Sequence, residues 1–190
     1  MPDHIYIKDE TAKGSLICKD LCNELMQYQA SKAKTVFYKM FLSGMKYENR
    51  LKPSFESAED KQLLVTYDGD APIGYVFSSV ETVTEEKKNQ RPPFANKKMK
   101  GFYPDWLTIP TKIADLGNLY IKPEYRGQGL GKELMNQAMD WLRQTQDTPY
   151  LFVYVSNGND VSKFYESYGF KYSHDVFGGL ITAYIQDHQN

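Results

Sequence analysis

The chain has 190 residues, 41% hydrophobic and 14% aromatic, enough for a packed core in one domain spanning 1–190. A formal net charge of −1 and a pI near 6.3 exclude a general nucleic-acid binder, which needs a strongly basic face. The N-terminal MPDHIYIKDE has no signal-peptide pattern and no run approaches about 18 apolar residues, so a soluble, cytoplasmic protein with no membrane partner is expected.

His4–Lys8 alternates and predicts a first strand. Cys18, Leu21, Cys22, Leu25 and Met26 then recur at helical spacing, and Val36, Phe37, Met40 and Phe41 predict a second helix. The two cysteines stand one helical turn apart, poor geometry for a disulfide, and no histidine or further cysteine lies close to them in sequence. They are expected as reduced core residues, with no metal. Gln62–Tyr67 and Ile73–Ser78 flank Asp68-Gly69, a hairpin signal.

Residues 84–111 contain Pro92-Pro93, Pro104 and Pro110 and show no period. Residues 84–112 hold seven Lys/Arg against three acids, so this stretch is +4 while the rest of the chain is −5. A loop this long in a compact domain is either functional or a solvated excursion of a hairpin, and exposed lysines are the simpler account of its charge. An extended stretch over 113–121 comes next, then the glycine-rich EYRGQGLGKE (124–133). Beyond it lie a helix with Leu130, Leu134, Met135, Ala138, Trp141 and Leu142 on one face and a nearly all-apolar strand, 150–155. A short helix over 160–167, with Asn159 as its N-cap, and strands at 170–172 and 180–185 close the order β-α-α-β-β-β-α-β-α-β-β.

Gly127, Gly129 and Gly131 sit where a strand feeds a helix. There unpaired N–H groups and the helix dipole favour an anion, and glycine lets it approach the backbone. A P-loop would need a glycine where Arg126 stands and Ser or Thr where Glu133 follows Lys132. The dinucleotide fingerprint GxGxxG fails as well, because the glycines run GxGxG.

The stretch Asn118-Leu119-Tyr120-Ile121-Lys122-Pro123-Glu124-Tyr125-Arg126-Gly127-Gln128-Gly129-Leu130-Gly131 instead resembles the pyrophosphate loop of the GNAT superfamily of acyl-CoA-dependent N-acetyltransferases. Lys163-Phe164-Tyr165-Glu166-Ser167-Tyr168-Gly169-Phe170, about 35 residues on, resembles that family's downstream block. The resemblance covers essentially the whole chain apart from the 84–111 insert. It implies an α/β (α+β) fold: a mixed, mostly antiparallel sheet of about seven strands flanked by about four helices.

The resemblance further implies that strands 113–121 and 150–155 part to admit acetyl-CoA. Backbone N–H groups of Arg126, Gly127, Gln128, Gly129, Leu130 and Gly131 would meet its pyrophosphate, with Lys132 or Arg126 supplying charge. A solvated lysine and an arginine paired with Glu124 are the alternatives. Leu119, Tyr120 and Ile121 would hold the pantetheine arm through their backbones, and an N–H near Tyr120 or Ile121 would polarise the thioester carbonyl. Tyr165 occupies the general-acid position, with a core aromatic as its other reading. The family often places an asparagine seven residues before that tyrosine; here the position is Gly158, flanked by Asn157, the better ligand candidate, and Asn159. The general base is Glu81, Asp115 or an ordered water. His4, His174 and His188 are scattered, and no Cys, Ser or His stands in a nucleophile motif, which suits direct transfer to a primary amine. A non-catalytic acyl-CoA sensor, or a longer-chain acyltransferase, would use the same site. The acceptor, small-molecule or peptidyl, would lie against residues 18–45, 84–111 and 175–180, and homodimers are common in the family. The +4 insert would favour an acidic partner over a polycationic amine.

Overall fold

The structure is a computed structural model that describes residues 4–145 and 147–187; His188 lies outside them. In chain order the elements are β1 (Ile5–Asp9), α1 (Lys19–Lys32), α2 (Val36–Ser43), α3 (Leu51–Ser57), β2 (Asp60–Asp68), β3 (Ala71–Val83), α4 (Glu85–Asn89) and β4 (Thr111–Ile121). After them come α5 (Leu130–Gln144), β5 (Tyr150–Ser156), α6 (Ser162–Glu166), β6 (Lys171–Val176) and β7 (Ile181–Asp187). The strands form one sheet in the order β1-β2-β3-β4-β5-β7-β6. Every neighbouring pair is antiparallel except β4 and β5. The seven strands match expectation, whereas α3 and α4 are short helices that the apolar periodicity did not indicate.

Alternation along the strands decides which helix covers which face. Leu63, Val65 and Tyr67 of β2 and Tyr75 and Phe77 of β3 share one face and pack on α1 and α3 through Leu21, Cys22, Leu25 and Leu51. Leu64 and Val76 point the other way, onto Leu134, Met135, Ala138, Met139 and Leu142 of α5. Those five side chains recur at helical spacing among strong helix formers and are essentially fully buried. Each of the larger ones contributes about 1.5–3 kcal/mol by leaving water. Cys18 and Cys22 are free and buried, and burial pushes both thiols up, which keeps them protonated.

Two irregularities in β4 shape the surroundings of its C-terminal half. Phe77 pairs with Asn118 but Ser78 pairs with Leu116, so Gly117 is bulged out of the β3–β4 ladder. The extra residue puts Asp115 and Tyr120, five apart, on the same α1 face, which a regular strand would not do. Secondly, β4 and β5 pair only through Ala114–Leu151, Asp115–Phe152 and Leu116–Val153. Beyond that rung β5 continues against β7 alone, and residues 117–121 have one free edge.

The insert is a docked cover, which corrects the solvated-excursion reading. Phe94 meets Phe37, Phe41 and Phe177 edge to face, and Phe102 meets Tyr154 and Phe177. Lys88 Nζ donates to the carbonyls of Asp105 and Leu107, and Arg91 Nη1 donates to those of Lys88 and Gln90. Lys87 pairs with Glu81 and Lys112 with Glu59. Four of the seven cations are thus engaged internally, two of them with acids outside the segment, while Lys97, Lys98 and Lys100 are exposed. Asn159 is likewise corrected: α6 begins at Ser162 with Val161 as N-cap, and no side chain caps it.

Candidate active site

Gly127 and Gly129 have φ of 78° and 83°, the left-handed region that favours glycine. Gly129 is the N-cap of α5, and no side chain caps the helix, so its leading N–H groups stay available to a ligand. A Cβ at Gly127 or Gly129 would touch nothing within 4 Å; backbone conformation, not crowding, requires glycine there. Leu130 is buried and presents only its backbone, whereas Gln128 and Lys132 are exposed. Arg126 makes no ion pair with Glu124 among the described residues. Its Nε donates to the Ile121 carbonyl at 2.9 Å, and its guanidinium lies over the rings of Tyr28 and Tyr120. Tyr120 is buried, and its hydroxyl donates to Glu24 at 3.3 Å.

On the α1 face, where β4 and β5 part, a cavity of about 710 Å³ opens between α1, α3, the insert and the β6–β7 turn. Asp115 and Glu81 both line it. Glu81 is fully engaged: it accepts from the Tyr103 hydroxyl at 2.6 Å and from Lys87 Nζ at 2.8 Å. Asp115 is half-buried, and its Oδ1 is covered without a hydrogen-bond partner. Burial, reinforced by the Glu81 charge and opposed by Arg50, pushes its carboxyl up to about 7. Asp115 therefore exchanges a proton near neutral pH. It lies within β4, on the second of the three paired rungs.

The family model described as the acetyltransferase (GNAT) family matches residues 22–170. The chain belongs to the GNAT acetyltransferase family. Solved structures agree in fold. The PaiA N-acetyltransferase from Thermoplasma acidophilum, in complex with coenzyme A, superposes with a TM-score of 0.61 at 18% identity, over 96% of this chain and 98% of that one. NAA60 of Arabidopsis thaliana, in complex with a bisubstrate analogue, gives 0.51 at 13% identity, covering 95% of each chain. A chain of the NatC complex bound to Gag peptide and CoA gives 0.55 at 15% identity, over 97% and 98%. No curated protein sequence matches. Among the described residues no group of three or more His, Cys, Asp or Glu could hold a metal ion, and no helix is long and apolar enough to cross a membrane.

Within this GNAT chain, Tyr165 is buried against Phe164 and Phe170, and burial, with the Asp115 charge adding, raises its hydroxyl pKa. Asn157 ties two loops: its Oδ1 accepts from Lys34 N at 2.8 Å and its Nδ2 donates to the Gly179 carbonyl at 2.9 Å. Gly158 has φ of 80°, and a Cβ there would overlap the Lys32 carbonyl, so the end of α1 fills the space that an asparagine would need. Gly158→Ala is accordingly expected to destabilise the fold by about 2 kcal/mol or more, read as a lowered denaturant midpoint.

Sequence reasoning missed Arg50, Lys87, Tyr103, Tyr154 and Phe177, all of which line the cavity. None belongs to a local motif. The dense aromatics of the insert were the one available sign that it packs onto the protein.

Proposed function

We propose that this GNAT protein is an N-acetyltransferase that moves an acetyl group from acetyl-CoA to a primary amine by direct attack in a ternary complex. The observation that carries this reading is Asp115, a carboxyl titrating near neutrality at the fork between β4 and β5 and facing a cavity of small-molecule size. The free edge over 117–121 leads from that fork to the uncapped start of α5. Such an edge can take the amides of a pantetheine arm as a strand would, and the start of α5 suits a pyrophosphate. Leu119, Tyr120 and Ile121 would hold the arm through their backbones, and residues 126–131 the phosphates, with Lys132 the exposed cation beside them.

Bound acetyl-CoA would supply the activated acetyl thioester. Asp115 removes the proton from the acceptor's ammonium, because only a neutral amine attacks. Glu81, fixed by Tyr103 and Lys87, is the charge that helps keep Asp115 basic enough for the task. Tyr165, kept protonated by its raised pKa, donates to the departing thiolate and regains its proton from the one the attacking nitrogen sheds as the amide forms. No covalent acetyl-enzyme is required. Residues 1–190 act as one acetyltransferase domain whose 84–111 insert roofs the acceptor cavity, and the neighbours solved with a peptide or a bisubstrate analogue make a small-molecule or peptidyl amine the natural acceptor to test.

Release of free CoA thiol from acetyl-CoA in the presence of an amine panel tests the reading. Tyr165→Phe should lower kcat about 100-fold while the Kd for CoA stays unchanged. A protein that binds acetyl-CoA and releases no CoA with any amine would instead be a sensor.

A further inference from the structure

We propose that the acceptor is a free α-amino acid with a large apolar side chain, its amino group at Asp115 and its carboxylate at Arg50. This rests on the acetyltransferase reading above and names its substrate class.

Arg50 immediately precedes α3, is half-buried, and donates from Nη2 to the carbonyl of the bulged Gly117 at 3.1 Å. Among the described residues no carboxylate lies within ion-pair reach of it. A guanidinium carries five N–H donors in a planar fork suited to a carboxylate. The other cations lining the cavity are spoken for: Lys87 holds Glu81, and Arg91 holds the carbonyls of Lys88 and Gln90. Both Glu81 oxygens are already engaged, by the Tyr103 hydroxyl and Lys87 Nζ, so it offers an incoming ammonium no free acceptor. The cavity is left with one cation that has spare donors and one carboxyl that exchanges a proton near neutral pH.

Spacing then selects the ligand. Gly117, whose carbonyl holds Arg50, lies two residues beyond Asp115 on the same strand, a Cα separation of at most ~7 Å. The amino and carboxylate groups of a single α-amino acid, each reaching one partner, span that distance. A polyamine offers Arg50 nothing but repulsion. A peptide N-terminus or an amino-acid amide presents a neutral carbonyl where Arg50 would take a full charge. One side of the remaining wall is apolar, with Met26, Phe41, Met45, Phe102, Tyr154 and Phe177, and Gln29, Ser54, Ser57, Gln90 and Ser156 supply polar groups elsewhere on it. Its volume leaves room for an aromatic or thioether side chain.

The test is CoA release at saturating acetyl-CoA with phenylalanine, methionine and leucine, each beside its carboxamide and its decarboxylated amine, and with spermidine and short peptides. The free acids should exceed their amides and decarboxylated amines by about 100-fold or more in kcat/KM. Arg50→Gln should bring acid and amide to the same value, whereas Arg50→Lys should keep part of the preference. Equal kcat/KM for phenylalanine and its amide in the unaltered protein would overturn the proposal even if Arg50→Gln failed to fold. So would a preference for peptides or spermidine, or a preference for the free acid that survives in Arg50→Gln. Turnover of amines without the carboxylate preference removes only this proposal. No CoA release with any acceptor would bring down the acetyltransferase reading itself.

Discussion

Asp115→Asn should lower kcat/KM by about 10²–10⁴-fold, the usual contribution of a positioned base, and should also make the protein more stable at pH 8. Folding raises the carboxyl from its ordinary value of 3.8 to about 7. Below about pH 4 the group is protonated in both folded and unfolded chains and has no effect on stability. Between about 4 and 7 the unfolded chain ionises first, so rising pH removes stability, and the loss is complete above the folded pKa. A shift of roughly three units corresponds to at most about 4 kcal/mol, and solvent entering from the cavity side lowers that figure. An amide cannot ionise, so thermal melts of variant and parent should agree near pH 4 and separate by several degrees at pH 8. The parent's kcat/KM should rise through pH 7, while residual activity in the variant should lack that limb. A variant with the parent's pH profile would exclude Asp115 as the base.

Gly129→Val should weaken CoA binding by about 100-fold or more and leave cooperative folding intact. A β-branched residue at φ of 83° is strained by about 1–3 kcal/mol, which the N-cap of α5 can relieve by turning away from its left-handed conformation. Doing so rotates the first N–H groups of the helix off their common direction, and anion binding depends on that direction. Because the added side chain meets no neighbour within 4 Å of its Cβ, the core beneath keeps its packing. Calorimetric titration with CoA, beside a thermal melt without it, separates the two effects. Unchanged affinity would remove the loop from the phosphate site.

Much of this architecture is legible in the residues because local chemistry dictates it. The alternation of Gln62–Tyr67, the apolar stripe from Leu130 to Leu142 and the positive-φ glycines each carry their structure in neighbouring positions. The candidate base is different. Asp115 shares a face with Tyr120 only because Gly117 is bulged from the ladder, and neither residue signals that alone. Arg50 and Tyr103 reach the site through long-range packing, which no local spacing encodes. Asn159 has the residue type of a cap, but the chain makes a turn there, with Asn159 N donating to the Ser156 carbonyl, and the helix starts three residues later. The departure at Gly158 was visible as a missing side chain; its cause, the carbonyl of Lys32, was not.

The three-rung junction between β4 and β5 ties two properties of the chain together. So short a ladder holds the two halves of the sheet weakly by itself, and the apolar face of α5 belongs to one core with Leu116 of β4 and Leu151, Val153 and Val155 of β5. The helix whose first turn is read as the anchor for the donor is therefore also part of the core that backs the seam. Fold stability and donor affinity become coupled quantities: a substitution that loosens Leu134 or Leu142 lets the seam breathe and tilts the anchor with it. Selection acting on either property in this chain acts on both.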